Sequence, residues 1–450
     1  MQMRKLVGWG LLFCGLAWTS YGAEATPALM PLEPASSGLN SGDIAWMLMA
    51  SALVMLMTPG LAFFYGGLVR KKNILSVVMQ CFMVLCIVSI QWIFCGYSLS
   101  FGPDVGGLIG SLDWVGFANV GMNPGPYAAH IPHRLFAIYQ MMFAIITPAL
   151  ICGAFAERMR FSAFCIFSIL WSTLVYAPVA HWVWGGGGFL GLSPGCLGAV
   201  DFAGGIVVHI NAGMAALAAV LVMKRRRGFP HQISPPHNLP IAVLGAALLW
   251  FGWYGFNAGS ALAANTLAVT AFLNTHAAGA VAGLVWCLLD WLKFGRPTTL
   301  GMITGAVAGL AAVTPAAGFV DISGAIWIGI GSGIVCWLSV TALKAKFNYD
   351  DSLDAFGVHG VGGLWGSLAV GLWATQSVNS TGVNGLFYGH ATQFVIQAKA
   401  SVLVAAFSFV ASWLLFKLVD HIIGLRVTGD EENLGLDLSQ HRESGYTVID

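Results

Sequence analysis

The chemistry this chain could do rests first on two histidines. His209 and His359 lie deep inside apolar runs, in DFAGGIVVH (201–209) and DAFGVHG (354–360). A titratable ring is costly to desolvate in hydrocarbon, and groups at such depth usually line a route for a polar solute or a proton. A neutral imidazole carries one N–H donor and one acceptor nitrogen, so two joined ring to ring could serve a small polar molecule. No carboxylate sits beside either histidine in sequence to make it cationic. An uncharged, narrow lumen would reject sodium or potassium, because it does not replace their hydration. The plainer reading is that each histidine is a hydrogen bonder in helix packing. Asp201 could hold a cation, but an aspartate at a helix start more often accepts backbone N–H groups at the positive end of the helix dipole.

The elements that must position these residues are membrane helices. The chain has 450 residues, 57% hydrophobic and 9% charged, against roughly a quarter charged in soluble domains. Mean hydropathy is +0.78, and a net charge of +1 gives no reason to expect a nucleic-acid partner. The 57 glycines and 17 prolines fall within apolar segments, which suits close helix contacts and kinks. Apolar segments recur at 44–69, 73–101, 135–155, 161–182, 201–223, 239–263, 268–292, 299–318, 321–343, 355–375 and 396–424. They predict an all-α, polytopic protein of eleven transmembrane helices. Basic clusters at 70–72, 158–160, 224–227, 293–296 and 344–346 follow the odd-numbered spans. That asymmetry puts the amino terminus outside and the tail inside the cytoplasm. Five spans per half would invert the second half relative to the first, a 5+5 inverted repeat plus one helix. In spans five and ten an aspartate precedes a buried histidine, entering from opposite faces. His209 would lie roughly 12 Å past Asp201 and His359 roughly 8 Å past Asp354, so the rings could meet near the midplane.

Outside the spans, Arg4 and Lys5 precede an apolar run too short for the roughly 20 residues of a spanning helix. Ala23-Glu24-Ala25 then fits a small-residue cleavage site, so 1–25 reads as a removed signal peptide and 26–43 as a short periplasmic segment. The helical domain would run over 44–424 and a cytoplasmic tail over 425–450. The nine cysteines show no zinc spacing, and Cys196 lies in a loop without an obvious partner. No HExxH and no metal-ligand set is present, so neither metal nor enzymatic chemistry is expected.

Several long motifs in order carry a resemblance: TPGLAFFYGGLVRKKN (58–73), GAFAERMRF (153–161), HWVWGGG (181–187), DFAGGIVVHINAG (201–213), WFGWYGFNAGS (250–260) and DAFGVHGVGG (354–363). The chain resembles the ammonium transporter (Amt/Rh) family, in its bacterial branch, from about Asp43 to Tyr446. The resemblance implies an eleven-helix protomer with its own pore, assembled as a homotrimer in the inner membrane. It implies a recruitment site of Trp184, Ser260 and Phe143, where an indole face attracts ammonium or methylammonium by a cation–π contact of about 0.5–2 kcal/mol. Phe143 and Phe256 would stack as a gate, His209 and His359 would line the pore, and Asp201 would organise the outer site. Tyr139 is a weaker candidate for the vestibule wall. Ammonium would lose a proton near the gate and cross as ammonia, with or without separate transfer of the proton. The resemblance further implies that the tail packs beneath neighbouring protomers and that a PII-type signalling protein can block the cytoplasmic exits. Leu434 and Arg442 depart from the family's usual acidic residue and glycine. No cofactor is implied.

Other polar residues read as structural. Trp253 and Asn257 would shape helix packing, as would His276; His181 would be interfacial near the outer surface, and Glu157 would pair with Arg158 or a neighbouring loop. From composition alone the tail could be disordered. Two further functions stay open: an ammonium sensor with little flux, and a channel for another neutral gas such as carbon dioxide.

Overall fold

Among the described residues, eleven long helical segments lie where the hydropathy places them. The structure is a computed structural model that describes residues 38–231 and 235–446, so the expected signal peptide and residues 26–37 of the expected periplasmic segment lie outside the described residues. The helices are α1 (Ser41–Leu68), α2 (Lys71–Phe101), α3 (His133–Phe155), α4 (Phe161–Trp184), α5 (Gly205–Met223), α6 (Leu239–Ala261), α7 (Thr266–Phe294), α8 (Thr299–Val313), α9 (Ile322–Phe347), α10 (356–373) and α11 (Ala391–Ile423). Among the described residues, nine of these are long and apolar enough to cross a bilayer. The other two are α8, of 15 residues, and α10, which opens with the glycine-flanked turn that carries His359.

Local sequence explains the starts and stops. Asn40, Asn238, Asn265, Thr298 and Asp321 open α1, α6, α7, α8 and α9, each side chain accepting a backbone N–H of the first turn. Helix α8 stops at Val313 and not near 318 as expected, because Pro315 has no N–H to continue the ladder. The chain then turns, and Asn274 Nδ2 donates to the freed carbonyls of Ala317 and Val320 at 2.9 and 2.7 Å. Between α2 and α3 lie two small antiparallel hairpins, β1 (Asp104–Val105) with β2 (Ile109–Gly110) and β3 (Pro124–Gly125) with β4 (Ala128–Pro132).

The two halves repeat in their packing. Helix α2 packs on α3 and α4, as α7 packs on α8 and α9; α3 lies on α5 as α8 lies on α10. The first helix of each half, α1 and α6, run against each other along most of their length. Their backbones approach so closely that a Cβ added at Gly245 would lie 2.1 Å from the Phe64 nitrogen. Helix α11 sits outside the repeat and packs on α4, α5 and α10.

One face of the bundle gathers the basic loops and the tail. Glu157 accepts from Arg70 Nε and Arg226 Nη1, both at 3.0 Å, and from Asn73 at 2.9 Å. Its partners are thus the neighbouring loops. Arg158 instead donates to Ser352 Oγ at 2.6 Å and lies 3.8 Å from Asp350, which also pairs with Arg226 at 2.8 Å. Burial alone would raise both acids, but Arg226 and Arg70 hold Glu157 below its usual range, and Arg226 with Arg158 does the same for Asp350. The tail is ordered against this face. Its short helix α12 (Gly429–Leu434) opens with a reciprocal capping box between Thr428 and Glu431. Asn73 Oδ1 accepts from the Leu436 nitrogen and Asp437 Oδ1 from the Ser76 nitrogen, each at 2.8 Å, and Glu432 bridges Arg426 and the Arg227 nitrogen. Arg442, where the family pattern has glycine, adopts φ 59°, the left-handed region glycine enters at least cost. Leu434 is exposed.

Candidate functional site

The site begins at the start of α5. Asp201 accepts four backbone N–H bonds: Oδ1 from Gly204 and Gly205 at 2.8 and 2.7 Å, Oδ2 from Ile206 and Val207 at 2.7 and 3.0 Å. Those are the orphan donors of a helix start, so one buried carboxylate satisfies the whole first turn. Gly204 turns the chain there with φ 120°, a conformation few side chains tolerate. The backbone carbonyl of Asp201 accepts from Trp184 Nε1 at 2.8 Å, which fixes the indole at the end of α4. On the other side, Asp351 and not Asp354 plays the matching part. Its carboxylate accepts from the Ala355 and Phe356 nitrogens at 3.1 and 2.8 Å, while Asp354 pairs with Lys344. Burial, with Asp354 nearby, pushes Asp351 up to about 6.

Glycine then lets α5 and α10 cross in contact. A Cβ at Gly213 would lie 2.2 Å from the Gly360 backbone, and one at Gly363 would lie 2.9 Å from both Gly205 O and His209 Cβ. Both helices are π-helical at the crossing, over Gly205–Ile210 and Phe356–Gly360, and these widened turns hold the two histidines. The rings of His209 and His359 face each other, centroids 5.2 Å apart and planes 13° from parallel. Both residues are buried. Neither nitrogen of His209, nor Nδ1 of His359, has a hydrogen-bond partner among the described residues.

Above His209 the line continues in aromatic rings. Trp253 and Phe256, three apart on α6, stack on His209 at 5.5 and 6.1 Å. Phe256 lies against Phe143 at 4.2 Å, and Phe143 meets Trp184 edge-on at 6.0 Å. Tyr139, one turn before Phe143, is fully buried and donates toward Gly255 O and Phe256 O at 2.9 and 2.8 Å; its hydroxyl is 3.2 Å from Ser260 Oγ. It therefore braces the α6 backbone at Phe256 from within the core and does not stand on an open wall. Below His359 a cavity of about 350 Å³ extends to Lys344, Asp354 and Arg226 on the basic face. Chemically, the arrangement is a group of aromatic faces, a close pair of phenyl rings, and two facing imidazoles, three of whose nitrogens lack hydrogen-bond partners among the described residues.

The profile described as Ammonium Transporter Family matches residues 45–446. The chain belongs to the ammonium transporter family. It is 51% identical to the ammonium transporter of Bacillus subtilis (strain 168) over 408 residues, 91% of this chain and 99% of that one. Its fold is similar to the crystal structure of Saccharomyces cerevisiae Mep2, with a TM-score of 0.81, 36% identity, and 88% of this chain and 89% of Mep2 covered. A structure described as a sensor Amt protein is also similar, with a TM-score of 0.81, 30% identity, and 89% and 98% covered.

For a member of this family, the structure brings Trp184, Phe143, Phe256, Asp201, His209 and His359 into one line drawn from α3, α4, α5, α6 and α10, with Ser260 reaching it through Tyr139. Trp253, read from sequence as packing, stands against His209, with its Nε1 donating to Thr314 Oγ1 at 2.9 Å. The three-residue spacing to Phe256 was the available signal; Thr314 had none. Asn257 does tie α6 to α7, donating to Thr275 at 2.9 Å. His181 is buried within the protein beside the β1–β2 hairpin, bonded to Ser100 O at 3.0 Å and Asp104 Oδ1 at 2.9 Å. His276 is exposed on α7 rather than packed inside, its Nδ1 2.8 Å from Tyr254 Oη.

Proposed function

We propose that this protein takes up ammonium by capturing the cation at Trp184, Phe143 and Ser260, removing a proton near the Phe143–Phe256 gate and conducting ammonia past His209 and His359. The observation that carries this reading is the pair of buried imidazoles facing at 5.2 Å behind the Phe143 and Phe256 rings, which lie 4.2 Å apart and are tilted by 31° rather than stacked. An ion leaving water for this channel would lose its hydration, whereas neutral ammonia loses little and finds imidazole nitrogens to bond. The indole face of Trp184 is half-buried, which suits a cation–π contact with ammonium or methylammonium. Asp201 organises the outer site through its four N–H bonds and its carbonyl to Trp184, without holding the cation in the open.

In this reading the protein sits in the inner membrane with the basic loops and tail in the cytoplasm, after removal of residues 1–25. The gathering of basic loops on one face supports that orientation. It assembles as a homotrimer, as the family likeness suggests. A PII-type signalling protein would meet the face built by the basic loops and the tail; co-elution of the purified pair tests that contact.

Purified protein in liposomes on solid-supported membranes should give a current or uptake on an ammonium jump and none on a potassium jump. Silence toward ammonium in both measurements would sink the proposal. The likeness to a sensor Amt structure favours a second reading, signalling with little flux. Uptake by a form lacking the tail after Gly424 separates the two: retained flux supports transport.

A further inference from the structure

The inner end of the lumen holds a cation of the protein's own. Beneath His359 the cavity wall carries Val358, Asp354, Lys344, Arg226 and Asp290. Lys344, in the last turns of α9, donates from Nζ to Asp354 Oδ1 and to the Asp351 carbonyl, each at 2.6 Å. That carbonyl belongs to the residue whose carboxylate caps the helix bearing His359. The lysine ammonium is therefore fixed at the foot of the imidazole pair.

The other charges on this wall are committed elsewhere. Arg226 is bound to Glu157 and Asp350. Asp290 accepts from Trp337 Nε1 and Thr298 Oγ1. Asp354 alone depends on Lys344, and the two side chains are only 25% and 19% exposed, so water screens them little. Without the lysine charge, Asp354 would be an uncompensated carboxylate on the route between the lumen and the basic face. A lone carboxylate attracts potassium and ammonium alike, since it reads charge and little else.

We propose that Lys344 is a specificity-determining residue: its ammonium occupies the carboxylate site at the inner end of the lumen and so denies that site to free cations. The inference rests on the conducting lumen described under Proposed function. The alternative is that the ion pair only ties α9 to α10.

The test uses purified wild-type, Lys344→Gln, Lys344→Gln/Asp354→Asn and Asp354→Asn proteins in liposomes on solid-supported membranes. In Lys344→Gln, potassium on the inner side should inhibit ammonium uptake at a roughly tenfold lower concentration than in wild type. The double variant should return potassium to the wild-type baseline, because neither charge is then left alone. Asp354→Asn, which removes the carboxylate and keeps the lysine, should stay as insensitive to potassium as wild type. A folded Lys344→Gln as blind to potassium as wild type overturns the proposal. So does an Asp354→Asn protein that gains inhibition by potassium, which covers the case where Lys344→Gln does not fold. Failure of the wild type to conduct ammonium would instead remove the lumen reading itself.

Discussion

At the scale of single residues, the lumen is shaped by hydrogen bonds that leave two rings free. Trp253 can stand flat against His209 only because Thr314 accepts its indole proton at 2.9 Å, and Thr314 is itself held by donating to Leu310 O at 2.8 Å. Thr314→Val keeps the shape and removes the acceptor. A buried indole N–H without a partner costs about 1–3 kcal/mol, so Trp253 should turn away or the fold should weaken by that amount. The expected outcome is a lowered ammonium current with a modest fall in thermal stability; an unchanged current would show that Trp253 has no part in conduction. Asp201 has larger consequences, since four N–H groups depend on one carboxylate. Asp201→Ala should abolish uptake, and Asp201→Glu should not restore it, because a longer side chain cannot sit within the same first turn. Uptake by reconstituted Asp201→Ala at the wild-type rate would contradict that role.

Among elements, the decisive contact is the crossing of α5 and α10. Glycine is required at Gly213, whose Cβ would overlap the Gly360 backbone, but not at Gly362, where the nearest atom is the Cys336 sulfur at 3.4 Å. Overpacking a close contact typically costs 1–3 kcal/mol and shifts the backbone. Gly213→Ala should therefore separate the histidines and stop ammonium conduction in a protein that still folds, while Gly362→Ala conducts as before. Equal activity of both variants in the same liposome assay would mean that the crossing does not set the lumen.

For the molecule as a whole, the basic face acts as a clasp. Glu157, nearly fully buried, joins the loops after α1 and α5, and Arg226 carries the link to Asp350 before α10. Breaking a buried pair by removing one partner commonly costs about 3–5 kcal/mol, because the other charge stays buried. Glu157→Gln should lower the melting temperature of the detergent-solubilised protein by several degrees. The pH dependence has two opposing parts. Glu157 and Asp350 are held below their unfolded values, so their stabilisation is complete above about pH 4 and is lost as pH falls through the folded values. Asp351 is raised to about 6, so its ionisation costs stability as pH rises from about 4 through 6. Asp351→Asn should flatten the stability profile between about pH 4 and 6 and leave the acid collapse below it. A variant that also removes the acid collapse would shift the effect away from the arginine-bound carboxylates.

Hydropathy, charge asymmetry and long motifs made much of this protein legible before any coordinates. Spans of apolar residues are set by what a bilayer excludes, and their number and the odd-span basic loops follow from sequence alone. The buried histidines were likewise readable by type, because a titratable ring is expensive at that depth, whereas Phe143 and Phe256 were legible only through the family resemblance. What pairs with what was decided only by the tertiary structure. Asp351 rather than Asp354 caps α10, Glu157 reaches past Arg158 to Arg70 and Arg226, and a polar tail that could have stayed disordered is bound to the first turns of α2, Leu436 donating to Asn73 and Asp437 accepting from Ser76. These choices depend on which buried donors lack partners once the helices are packed, and that is a property of neighbours distant in sequence.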